Sequence, residues 1–67
     1  MELIINGEKI RISADESTVT ALLKHFNLHQ KVVIVELNDE ILTKENLSET
    51  LLSNGDKVEI VHFVGGG

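Results

Sequence analysis

Sixty-seven residues give the scale of one small domain and exclude a multidomain enzyme. Six Lys and Arg against eleven Asp and Glu leave a net charge of −5, a field that repels a phosphate backbone, so no nucleic-acid partner is expected. The absence of cysteine excludes disulfide staples, a thiolate nucleophile and cysteine metal ligands, and with two Phe and neither Trp nor Tyr the core falls to Ile, Leu and Val.

The chain opens Met1-Glu2-Leu3-Ile4-Ile5, without the basic leader and apolar stretch of a secretory signal. No apolar run approaches the length of about 20 residues that a membrane-crossing helix needs. The expectation is a cytoplasmic chain with no membrane partner. Residues 2–12 hold two β-rich runs on either side of Asn6-Gly7, the strongest short signal for a hairpin because both turn positions need positive φ. A two-residue turn there sets Ile5 opposite Glu8, Ile4 opposite Lys9, Leu3 opposite Ile10, Glu2 opposite Arg11 and Met1 opposite Ile12. Met1, Leu3, Ile5, Ile10 and Ile12 then share one face, while Glu2, Arg11 and Lys9 take the other.

A helix start falls at Ser17 or Thr18, either of which supplies a capping hydroxyl. Val19, Leu22, Leu23 and Phe26 follow at helical spacing, an apolar stripe of about three turns that ends at Asn27 and covers the hairpin's apolar face. The run from Lys31 to Leu37 carries four consecutive apolar residues, three of them Val, and reads as a well-covered strand. Asn38-Asp39 marks a turn, and residues 40–42 a brief strand. Leu47, Leu51 and Leu52 suggest a short turn of helix under the sheet, and residues 53–56 form a second turn cluster. Residues 57–64 close the fold as a central strand in which Val58 and Ile60 alternate with Lys57 and Glu59; its last four residues stop alternating.

Strand, strand, helix, strand, short strand, strand is an α+β order. A hairpin, a helix crossing one sheet face and a late strand returning beside the first make the β-grasp arrangement of ubiquitin-like domains, here over residues 1–64, with residues 65–67 as a glycine tail.

Catalytic constellations are nearly empty: there is no glycine-rich phosphate loop between strand and helix and no Gly-x-Ser-x-Gly element. His25 and His29 stand four apart, a spacing that can present two imidazoles on one helix face to a metal. The intervening residues lack the glutamate of a zinc-protease motif, however, and His29 falls beyond the expected helix end, so both read as surface histidines. His62 reads as a partly exposed strand residue. Asp15-Glu16, Asp39-Glu40 and Asp56 occupy turns, where short acidic residues serve the backbone. The chemistry left over is at residues 63–67, Phe-Val-Gly-Gly-Gly. Three residues without Cβ make a strip thin enough to thread a narrow channel, tipped by the α-carboxylate of Gly67.

The segment 54–67, together with the opening Ile-Ile-Asn-Gly-Glu and the Thr18-Val19…Leu22-Leu23 helix start, resembles the ThiS family of thiamine-biosynthesis sulfur carriers, over essentially the whole chain. The resemblance implies a β-grasp fold and a carrier rather than an enzyme. Such a carrier would bind no cofactor itself. A ThiF-like enzyme would spend ATP, with Mg²⁺, to adenylate the Gly67 carboxylate. A sulfur donor such as a cysteine desulfurase persulfide would replace AMP, and the resulting thiocarboxylate would pass sulfur to a ThiG-like thiazole synthase. Gly65 and Gly66 would permit entry into partner sites. Val61, Phe63 and Val64 are either an exposed docking patch or part of the core. Many relatives end in two glycines where this chain has three. The other readings are the small-subunit sulfur carrier of molybdopterin synthase, a modifier conjugated through Gly67, and a β-grasp interaction module with an inert terminus.

Overall fold

Asn6 and Gly7 turn the chain at φ of 50° and 85°, the left-handed values that a two-residue hairpin turn demands. The flanking strands β1 (Glu2–Ile5) and β2 (Glu8–Arg11) pair antiparallel in the register read from the sequence, Leu3 opposite Ile10 and Ile5 opposite Glu8. Met1 and Ile12 extend the ladder by one step, with the Ile12 N–H donating to the Met1 carbonyl at 2.7 Å. The computed structural model describes residues 1–62.

Helix α1 (Val19–His25) begins at Thr18, whose Oγ1 accepts from the Ala21 N–H at 3.1 Å and satisfies one of the unpaired first-turn donors. It ends where Asn27 adopts φ 59°. There the Leu28 N–H donates back to Leu23 O and the Asn27 N–H to Lys24 O, the paired bonds of a Schellman ending. The helix is thus seven residues long, about two turns rather than three. Its stripe survives the shortening, because Val19, Leu22 and Leu23 are buried and Phe26 packs at the edge of the core.

β3 (Val33–Leu37), β4 (Glu40–Ile41) and β5 (Lys57–His62) complete one sheet of order β2-β1-β5-β3-β4. β5 is central, parallel to β1 and antiparallel to β3. The helix covers one face, and Leu3, Ile12, Val19, Leu22, Val35 and Val58 fill the space between. This is the β-grasp arrangement expected from the element order.

Two further expectations change. The apolar run of β3 is covered on one face only: Val33, Val35 and Leu37 point to the core, while Val32 and Ile34 are 73% and 42% exposed. A single helix layer shields one side of the pleat and leaves alternate residues outside. The helical turn expected around Leu47, Leu51 and Leu52 lies earlier, as a 3-10 turn over Lys44–Asn46. Leu47 and Leu52 reach the core, whereas Leu51 is exposed, its backbone bridging that of Thr18. Among the described residues no helix is long and apolar enough to cross a membrane.

Candidate functional site at the end of the central strand

β5 leads directly to the glycine-bearing segment, and its neighbours fix it in place. On one side β1 ends opposite Val58, where the chain turns away at Asn6-Gly7. The Asn6 side chain takes over from there: Oδ1 accepts from the Ile60 N–H at 2.7 Å and Nδ2 donates to the Ile60 carbonyl at 3.1 Å. On the other side β3 stays in register as far as Val33 opposite His62. The start of β5 is held in the same manner, because Asn38 Oδ1 accepts from the Lys57 N–H at 3.0 Å and Asn38 Nδ2 donates to Asp56 Oδ1 at 3.1 Å. Asp56 Oδ2 in turn accepts from the Ser53 N–H. The short polar residues of these turns therefore clamp the start and the middle of the strand.

Side chains alternate along β5. Val58 and Ile60 are buried, and Val61 faces away from the helix, 54% exposed, directly opposite Ile34 of β3. The Ile34–Val61 pair forms an apolar spot on the open face of the sheet. Next to it, Glu36 and Glu59 stand opposite each other on the same face. His62 is exposed and lines a shallow cleft of 490 Å³ with Ile10 and Phe26. Of the residues singled out in the sequence, Val61 is thus a surface residue. Phe63, Val64, Gly65, Gly66 and Gly67 lie outside the described residues.

The histidines do not converge. His25 closes the helix, with Nδ1 2.9 Å from Glu16 Oε2 and its ring edge-on to Phe26. His29 lies past the left-handed Asn27, outside the helix. Among the described residues no three His, Asp or Glu side chains gather as a metal site.

Sequence reasoning missed the double role of Asn6 and Asn38, because each is fully accounted for as a turn former. A signal was available in the residue type. At a positive-φ position Asp and Asn both serve, but only the amide can accept from a backbone N–H while donating to a second group, the Ile60 carbonyl for Asn6 and the Asp56 carboxylate for Asn38.

Comparison with known proteins agrees with this architecture. The model of the ThiS family matches residues 2–67. The sulfur carrier protein ThiS of Bacillus subtilis (strain 168) is 46% identical over 65 residues, covering 97% of this chain and 98% of that protein. A thiazole synthase of Paramagnetospirillum magneticum is 45% identical over all 67 residues, which correspond to 20% of its own length. Among solved structures, the crystal structure of the thiamine biosynthesis protein ThiS from Geobacter metallireducens superposes with a TM-score of 0.82 at 40% identity, each chain covered completely.

Proposed function

The chain belongs to the ThiS family as a sulfur carrier of thiamine biosynthesis, and from that premise we propose that its sulfur rides on the carboxyl group of Gly67. A carboxylate resists nucleophiles because it is negatively charged and has no usable leaving group. Attack of a Gly67 carboxylate oxygen on the α-phosphorus of ATP removes both obstacles, expelling pyrophosphate and leaving an acyl-adenylate. A sulfur nucleophile adds to that carbonyl and expels AMP. With hydrosulfide the product is the thiocarboxylate directly; with a protein persulfide, a second thiol cleaves the S–S bond to release it. The enzyme that holds ATP and Mg²⁺ is ThiF-like, and a cysteine desulfurase is the proposed source of persulfide. The cytoplasm is the proposed compartment.

The observation that carries this reading is the end-to-end match to a sulfur carrier over 98% of that protein's length. The geometry supports it: the strand leading to residues 65–67 is central and clamped along its length, a rigid base from which a glycine tail can reach into a partner. Thiazole synthase is the proposed acceptor, a reading supported by the thiazole synthase that carries a segment like this chain within its own sequence. The apolar pair Ile34–Val61, with Phe63 and Val64, is the proposed docking surface beside the tail, and residues 1–64 are the folded domain that presents it.

Intact mass spectrometry tests the proposal. The chain is incubated with ATP, Mg²⁺, a ThiF-like enzyme and sulfide, beside a variant extended by one residue after Gly67. The expected result is a gain equal to exchange of one oxygen for sulfur, located at Gly67 and absent from the extended chain. No gain, with the same enzyme active on another carrier, overturns it in favour of an interaction module with an inert terminus.

A further inference from the structure

β4 leaves the sheet early. It pairs with β3 only at Glu36 and Leu37, and the last bond across that edge runs from the Leu42 N–H to the Val35 carbonyl at 2.9 Å. Beyond it the chain peels off through Thr43 into the 3-10 turn at Lys44–Asn46. Backbone groups alternate sides along a strand, so a bond from Val35 to this edge puts the N–H and C=O of Val33 on it too. No described strand lies beside them there.

The gap is a notch of 370 Å³ whose apolar wall includes Leu23, Val33, Val35, Leu42 and Leu47. Its rim is cationic. Lys31 and Lys44 both line it and, among the described residues, no Asp or Glu does, although the whole chain carries −5. On the open face of the sheet at the same edge, Val32 and Ile34 are exposed. An unpaired strand edge, an apolar hole on one side of it and positive charge at its rim are three separate features at one place.

We propose that this notch is a strand-addition site for an extended acidic segment of a partner protein. The segment pairs antiparallel with β3, exchanging both backbone hydrogen bonds with Val33. One aliphatic side chain enters the notch, and a carboxylate two residues after it, on the same face by the two-residue period, meets Lys31; on the other side Leu42 already fills the place opposite Val35, so the segment bends away there and carries its first carboxylate to Lys44. Intervening aliphatic residues lie over Val32 and Ile34. The occupant is acidic because the lysines select it, and extended because only a strand satisfies the Val33 edge. The proposal shares Ile34 with the docking surface proposed above but does not depend on the carrier reading.

The test uses the ¹⁵N-labelled full chain titrated with the peptide acetyl-EVIVE-amide. The expected result is saturable shifts at the amides of Val33, Leu42 and Lys44, with the Val33 amide exchanging rapidly in the free chain and protected in the complex. Acetyl-KVIVK-amide, or EVIVE methylated on its isoleucine nitrogen, is expected to bind about tenfold more weakly or less. The Lys31→Glu/Lys44→Glu double variant, changed only at exposed positions, is expected to retain the free-state spectrum elsewhere and to lose affinity for EVIVE by a similar factor. No shift at millimolar peptide overturns the proposal, as do equal binding of KVIVK and a Val33 amide already protected in the free chain. Shifts at the same amides on concentrating the chain alone overturn it too, since the occupant is then a second copy.

Discussion

The side chain of Asn6 satisfies both backbone groups of Ile60 on the side where β1 has ended, accepting at 2.7 Å and donating at 3.1 Å. Asn6 is at once a hairpin turn residue at φ 50° and a stand-in for the next residue of a parallel strand. Replacing it with glycine keeps the turn and deletes the bridge. At about 0.5–1.5 kcal/mol net per bond, Asn6→Gly is expected to lower stability by about 1–3 kcal/mol in urea unfolding. The Ile60 amide should then exchange faster than those of its β3-paired neighbours, Glu59 and Val61. Unchanged exchange at Ile60 would show that the bridge holds nothing.

The N-terminal cap gives a cleaner comparison. Thr18→Ala removes the acceptor for the Ala21 N–H and is expected to cost about 1 kcal/mol, whereas Thr18→Ser keeps the oxygen and should recover most of it. Denaturation midpoints of the two variants decide the matter; equal losses would assign the effect to the threonine methyl instead.

These residues also mark what the sequence made legible. The β1–β2 register follows from Asn6-Gly7 because a two-residue turn permits one pairing, and an amphipathic hairpin checks it at every position. The helix stripe and its end at Asn27 follow from equally local rules. The exposure of Val32 and Ile34 was not legible, because a run of four apolar residues looks the same whether one face of a strand is covered or two. Only the count of layers decides, and that is a property of the whole chain. The Leu51 error has the same origin: three leucines in six residues fit a helical turn, but the backbone pairing of Leu51 with Thr18 straightens the segment and turns that side chain outward. In the candidate site, the glycine run and Val61 could be picked out from composition and broken alternation. The notch beside β3 could not, since it exists only where two non-consecutive segments part.

Core substitutions should be severe for a domain this small. At about 0.05–0.15 kcal/mol per residue, 67 residues have about 3–10 kcal/mol to lose. Leu22→Ala opens a cavity at a fully buried position and is expected to cost about 2–5 kcal/mol, enough to leave a substantial fraction unfolded at 37 °C. Val32→Ala, three-quarters exposed, is expected to change stability by less than about 0.5 kcal/mol. Circular dichroism melts compare the two directly.

Glu36 and Glu59 face one another across β3 and β5, an arrangement that repels. Glu59→Lys should therefore stabilise the fold, by about 0.2–1 kcal/mol, and the gain should shrink at high salt as the charges are screened. A destabilised variant, or a gain indifferent to salt, would show that the two carboxylates do not sense each other.

The proposed docking surface makes a kinetic prediction. Val61→Asp puts a charge on an exposed apolar position without touching the core, so the melting temperature should move little. In the adenylation assay the KM for the carrier should rise about tenfold, the loss of one interface contact worth roughly 1–2 kcal/mol, with kcat less affected. A fall in kcat alone would place the residue in the chemistry of transfer rather than in docking.

Because β5 lies between a parallel and an antiparallel neighbour, a partner that grips the chain beyond His62 pulls along the strand axis. The inter-strand bonds stand across that axis, so the load is a shear shared by all of them at once rather than a peel that breaks one after another. The strand's far end is tied as well, through Asn38 to the β3–β4 turn. On the proposed reading, in which the terminus enters another protein, the fold is thereby anchored against being unravelled by its own cargo handle.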